Sequence, residues 1–222
     1  MVPPLAVDID GTLSRADRSI DPRVLDVLRE YAAPVVLATG KALPYPIALC
    51  DFIGTDQRVI AENGGVAYVD DELHYLGDRT AAETVAEEYR SAGYDLGWGT
   101  VDLVNRWRET EIAVQRDQPL GPLQEIARKH GLEVVDTGFA YHVKDTAMSK
   151  GAALHEVADA LGHDPTEFVA IGDSANDVEL FTEVGRAYAV ANADEHARAA
   201  ADVVTEGAYA DGFIEAIAAI AD

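Results

Sequence analysis

Residues 5–13 read LAVDIDGTL, and the fold turns on how that run is interpreted. Leu5, Ala6, Val7 and Ile9 form the apolar stretch expected of a strand buried on both faces of a parallel sheet. Gly11 follows, where the backbone can take torsions that other residues resist. Asp8 and Asp10 are thereby delivered to the C-terminal end of a strand, the rim at which open α/β sheets bind ligands. Two carboxylates so close together suit a hard cation and a division of labour between a nucleophile and an acid. The same residues also suit a solvated strand-end turn, because Asp and Gly are common turn formers. The pair therefore needs support from the rest of the chain.

Outward from this run, short apolar strands alternate with amphipathic helices. Asp21–Pro22 reads as an N-cap and first helical residue, with Val24, Leu28 and Tyr31 at helical spacing. Val35–Ala38 is a second buried strand, ending at Thr39–Gly40, and Val59–Ala61 a third, followed by Asn63–Gly64–Gly65. Asp70–Asp71 reads as the turn of a hairpin. After Lys150 the alternation resumes: a helix over Ala152–Leu161, a strand over Phe168–Ile171 ending at Gly172–Asp173, a strand over Ala187–Val190 and a closing helix over Phe213–Ile220. The middle of the chain breaks the rhythm, with a helix at Thr80–Ala92, alternating residues at Thr110–Gln115, a helix at Leu120–His130 and a hairpin about Thr137–Gly138. The fold class is α/β: a doubly wound, mostly parallel sheet over residues 1–79 and 149–222, with a small α+β cap inserted at 80–148.

Of 222 residues nearly half are apolar, enough for a sizeable core, yet no apolar run approaches the ~20 residues that span a bilayer. No secretory signal is evident. Cys50 is the only cysteine, which excludes an intrachain disulfide and a cysteine metal site and fits a reduced, cytoplasmic setting. Against 40 Asp and Glu stand 17 Lys and Arg, for a net charge of −23. Such a surface repels nucleic acid and anionic membranes. It is also what a high-salt cytoplasm favours, where screening removes self-repulsion. An anionic substrate must then be met by a local positive cluster or a bound cation. Lys41 reads as a solvated loop charge, and Trp98 and Trp107 as core of the insert. His142 reads as a packing or surface residue, within reach of a substrate together with Tyr141.

Four strand ends or helix starts carry suitable polar groups: Asp8 and Asp10, Thr39, Lys150, and GDSAND at residues 172–177. Strand ends of a parallel sheet share one rim, so these distant positions can meet. Asp8 and Asp173, with Asp177 as a further candidate, make an oxygen-rich cation site suited to Mg²⁺, which takes a few carboxylates and keeps its waters and a substrate phosphate.

DIDGTL, ATGK, SKG and GDSANDVEL, in that order, resemble the motifs of the haloacid dehalogenase-like hydrolases. ENGG at residues 62–65 and the position of the insert are similar to the Cof-type branch, and the length and small cap to archaeal phosphoglycolate phosphatases. The resemblance implies that Asp8 is a nucleophile forming an aspartyl-phosphate and that Asp10 is the general acid, then base. It implies that Asp8, the backbone carbonyl of Asp10 and Asp173 hold Mg²⁺, with Asp177 a further ligand or a partner one shell out. Thr39 and Lys150 would bind the phosphoryl oxygens, and Ser174 and Asn176 would donate nearby. The implied activity is Mg²⁺-dependent hydrolysis of a small phosphorylated metabolite, first of all 2-phosphoglycolate, by a monomer or homodimer. The alternatives are a phosphatase of another small sugar phosphate, a phosphomutase, or a non-enzymatic receiver-like switch. The D-x-D pair and the insert argue against the last.

Overall fold

In the computed structural model, which describes residues 2–221, β1 (Leu5–Asp8) lies within an eight-stranded sheet. It pairs in parallel with β2 (Val35–Ala38) on one side and with β9 (Val169–Gly172) on the other. The sheet order is β11-β10-β9-β1-β2-β3-β4-β5, where β3 is Val59–Ala61, β10 Arg186–Ala189 and β11 Val203–Val204. Strands β4 (Val66–Val69) and β5 (Glu72–Tyr75) run antiparallel at the edge. Their turn places Asp70 and Asp71 at φ 49° and 63°, the left-handed pair that a two-residue hairpin demands and that Asp tolerates.

The central strands are apolar on both faces, and the two faces differ in size. Leu5, Val7, Val35, Leu37, Val169 and Ile171 face α1 (Pro22–Arg29), α2 (Pro44–Ile53) and α8 (Ala210–Ala221). Ala6, Ala38, Ala170, Ala187 and Ala189 point the other way, into the cluster built with α5 (Lys150–Leu161) and α6 (Val178–Glu183). On that face α5 packs over β3 and β4, and its first turn brings Lys150 to the end of β1. The N-cap of α5 is Ser149, whose side chain accepts from the Ala152 amide at 3.0 Å.

A second layer pair is built from α3 (Arg79–Ser91) and α4 (Leu120–Lys129) packed on a three-stranded antiparallel sheet. Its order is β6-β8-β7, with β6 Ile112–Gln115, β7 Leu132–Asp136 and β8 Ala140–Asp145. Val85, Tyr89, Leu123, Ile126, Val114 and Val143 fill its core. The irregular stretch before β6 is pinned by Asn105, which donates to the Ala113 carbonyl at 2.9 Å and accepts from its amide at 2.7 Å. Trp98 packs against this unit and donates to Ala113 O at 2.8 Å, whereas Trp107, expected in the core, is exposed beside Arg106. No described helix is long and apolar enough to cross a membrane.

ENGG joins the two units. Glu62 is fully buried and accepts the amides of Glu109 (2.9 Å) and Thr110 (2.9 Å) and the Thr110 hydroxyl (2.8 Å). Burial and the neighbouring Glu111 charge push its carboxyl upward from the ordinary range. Gly64, at φ +94°, lies so near the other connection that a Cβ would overlap the Ser149 carbonyl. One motif thus touches both the insert, at residues 109–110, and its second connection to the core, at residues 148–150.

Candidate active site

The C-terminal ends of β1, β2 and β9 open on one cavity of about 670 Å³, which Asp8, Asp10, Thr39, Asp173 and Asn176 all line. Lys150 lies behind Asp8, fully buried, with its ammonium 2.7 Å from Asp8 Oδ1 and 2.6 Å from Asp177 Oδ1. All seven residues singled out in the sequence therefore converge, although they come from opposite ends of the chain.

Their arrangement assigns different physical positions. One oxygen each of Asp8, Asp173 and Asp177 lies within 4.8 Å of the others. Asp8 Oδ2 and Asp173 Oδ1 are buried without a hydrogen-bond partner. Orphaned buried oxygens in so tight a carboxylate cluster are costly unless a cation joins them. Burial, partly offset by Lys150 and reinforced by Asp177, pushes the Asp8 carboxyl up to about 7. Burial and the Asp8 charge push Asp173 up to about 9. The donor set is all oxygen and fits a hard divalent ion such as magnesium.

Asp177 differs from its two neighbours because both its oxygens are engaged. Oδ1 takes Lys150, and Oδ2 accepts the amides of Asp173 at 3.0 Å and Ser174 at 3.1 Å. It organises the turn that presents Asp173. Asp194 completes that turn by accepting the Ala175 amide at 2.7 Å. Gly11, at φ +89°, gives Asp173 its space, since a Cβ there would overlap the carboxylate.

The side chain of Asp10 lies outside the three-carboxylate cluster. Its oxygens meet the ammonium of Lys41 and, at 3.8 Å, the guanidinium of Arg18. Lys41 is thus not the free loop charge that its position suggested. Thr39 Oγ1 accepts the Lys41 amide at 3.1 Å, which fixes the turn after β2. Arg18 also lies over the Phe139 ring, 5.0 Å from its centroid, so the turn after β1 touches the β7–β8 hairpin tip across the cavity.

A buried polar chain went unread in the sequence. Asn176 donates to Asn63 Oδ1 at 3.0 Å, and Asn63 donates to Glu111 Oε2 at 3.0 Å. Glu111 is fully buried, meets the Arg108 guanidinium and accepts His142 Nδ1 at 2.8 Å. Burial pushes the Glu111 carboxyl up, but the His142 and Arg108 charges outweigh it and hold the group at about 2. Arg108 reaches back to the core through a 3.1 Å hydrogen bond to the Gly40 carbonyl. Arg108 and Glu111 are three residues apart, but no local spacing links them to residues 63, 142 and 176; the sequence signals are ENGG, the GDSAND run that holds Asn176, and the isolated histidine.

The sequence pattern of the haloacid dehalogenase-like hydrolases matches residues 5–90 and 124–217. The chain belongs to that family. This hydrolase is 66% identical over 215 residues to a phosphoglycolate phosphatase of Halobacterium salinarum, covering 97% of this chain and 96% of the relative. It is 61% identical over 219 residues to the phosphoglycolate phosphatase of Natronomonas pharaonis, covering 98% and 97%. In fold it is similar to a crystal structure from Thermoplasma acidophilum, with TM-score 0.87, 24% identity and coverage of 100% and 99%. A Thermotoga maritima structure aligns with TM-score 0.80 at 19% identity, covering 99% of this chain and 97% of that one.

Proposed function

We propose that this hydrolase is a Mg²⁺-dependent phosphatase that converts 2-phosphoglycolate to glycolate and phosphate through a phosphorylated Asp8. The observation that carries the reading is the unpartnered buried oxygens of Asp8 and Asp173 within one tight carboxylate cluster, beside Asp10 in one cavity. The relatives above supply the substrate.

Asp8, Asp173 and the backbone carbonyl of Asp10 would hold the cation, with Asp177 one shell out. Bound there, Mg²⁺ offsets the repulsion between a carboxylate nucleophile and a phosphate dianion. Lys150 fixes Asp8 through Oδ1, while Oδ2 has no hydrogen-bond partner. Attack by Asp8 on phosphorus forms the aspartyl-phosphate as the bond to the ester oxygen breaks, and Asp10 passes a proton to the departing alkoxide. Asp10 then takes a proton from water, whose oxygen attacks the same phosphorus and releases Asp8 and inorganic phosphate. Thr39 holds a phosphoryl oxygen as charge spreads over it, whereas Lys150, expected to share that role, lies buried behind Asp8 and instead holds Asp8 and Asp177 in place. Asn176 lines the same wall, its amide committed to Asn63 and its carbonyl to Ser174, so it acts chiefly by fixing the turn.

Residues 80–148 serve as a cap that closes over the substrate and excludes water, moving on the connections at residues 76–78 and 146–149. The free, buried thiol of Cys50 fits a reducing cytoplasm.

The test is a panel of phosphate esters assayed with Mg²⁺ in concentrated KCl. Phosphate release should be fastest with 2-phosphoglycolate and absent in Asp8→Ala. Normal turnover by Asp8→Ala would remove the covalent step. An isomerised ester without free phosphate would indicate a mutase, and a stable phosphoprotein a switch.

A further inference from the structure

We propose that Arg108 and His142, both held by the buried Glu111, form the seat for the substrate's carboxylate, one carbon removed from the ester oxygen. This rests on the phosphatase reading and names the residues that select its substrate.

The first support is unmet donor capacity. Arg108 and His142 line the cavity, and both lean on the single carboxylate of Glu111. Arg108 Nε is buried with no acceptor, and among the described residues His142 Nε2 has no hydrogen-bond partner. A buried guanidinium N–H lacking an acceptor is costly and asks for one. A carboxylate offers two coplanar oxygens, which match an arginine and a neighbouring imidazole.

The second support is position. The other cations at the cavity are matched already: Lys41 and Arg18 on Asp10, Lys150 on Asp8 and Asp177. Those cations stay with the carboxylates of the core, whereas Arg108 and His142 come from the insert and, with Arg108 Nε unpartnered, keep donor capacity to spare. Arg108 is tied to the carbonyl of Gly40, the residue after Thr39, so its head lies beside the turn that holds the phosphoryl group. That closeness suits an acid with one carbon between its two anionic ends. Through Asn63 and Asn176 the seat is also hydrogen-bonded to the turn carrying Asp173, which keeps both ends of the substrate in register. Glu111 touches no substrate; it is a positioning residue.

A neutral analogue would leave the desolvated donors unpaired, which is the condition for strong discrimination. The experiment compares 2-phosphoglycolate with 2-hydroxyethyl phosphate, in which an alcohol replaces the carboxylate. Wild type should prefer the acid by about 100-fold or more in kcat/KM. Arg108→Gln and His142→Asn should each cut that preference by about 100-fold, the size of one charge-assisted hydrogen bond, and Glu111→Gln by about tenfold. Arg108→Lys, which keeps the charge and loses the fork, should fall between. A purely structural role would lower both esters equally and leave the ratio unchanged, which would overturn the proposal, as would equal turnover of the two esters by wild type. Turnover of neither ester would overturn the phosphatase reading as well.

Discussion

Replacing Asp8 by Asn should abolish turnover and stabilise the metal-free protein. Asp8, Asp173 and Asp177 crowd around a single ammonium, that of Lys150, so without a cation the cluster carries excess negative charge in a buried place. A tenfold change in acidity is worth ~1.4 kcal/mol, so the rise of Asp8 from 3.8 to about 7 corresponds to about 4 kcal/mol. The sign follows from proton binding. The folded state holds the Asp8 proton more tightly than the unfolded chain, so stability is full below pH 4 and is lost as pH rises to about 7. Asn keeps an acceptor for Lys150 but adds an amide N–H₂ that must find partners, which gives back about 1–3 kcal/mol. The net gain expected at pH 8 in chelator is about 2 kcal/mol, or about 4–8 °C in Tm for a chain of this length. At pH 5 wild-type Asp8 is already largely protonated and the gain should vanish. Saturating Mg²⁺ should reverse the order, since a ligand at 100 times its Kd adds ~2.7 kcal/mol to the protein that binds it. Thermal unfolding followed by circular dichroism at the two pH values, with and without Mg²⁺, measures all four cases. An Asp8→Asn protein no more stable than wild type at pH 8 in chelator, or equally stabilised at pH 5, would refute the electrostatic argument.

Other expectations follow from the joints between the units. Gly64→Ala sets a Cβ against the Ser149 carbonyl at positive φ, and should destabilise by about 2–4 kcal/mol while lowering kcat, because Lys150 begins the adjoining helix; urea titration with parallel assays checks it. The lowered Glu111 carboxyl contributes stability that is complete above pH 4.5 and lost as pH falls through about 2, so Glu111→Gln should flatten the acid limb of the unfolding curve. With a net charge of −23, transfer from concentrated to dilute KCl should lower Tm steadily, and an uncharged osmolyte of equal osmolarity should not restore it.

Much of this was legible in the chain because the relevant signals are local. LAVDIDGTL, ATGK and GDSAND each combine a buried strand with polar residues at its end, and the rule that parallel strands share a rim does the rest. What stayed hidden depends on contacts between units. Glu111 of the insert meets Asn63 only where the two units touch, Trp107 is left in solvent, and Lys41 finds Asp10 only once the sheet sets β1 beside β2. ENGG was visible as a motif, but its use as a clasp on residues 109–110 and 149 belongs to tertiary structure.

The account stands or falls on one ion shared between the start and the end of the chain. A crystal structure at high resolution with Mg²⁺ should place an octahedral ion about 2.1 Å from both Asp8 Oδ2 and Asp173 Oδ1. An ion bound elsewhere, or those two oxygens still unjoined at saturating Mg²⁺, would contradict it.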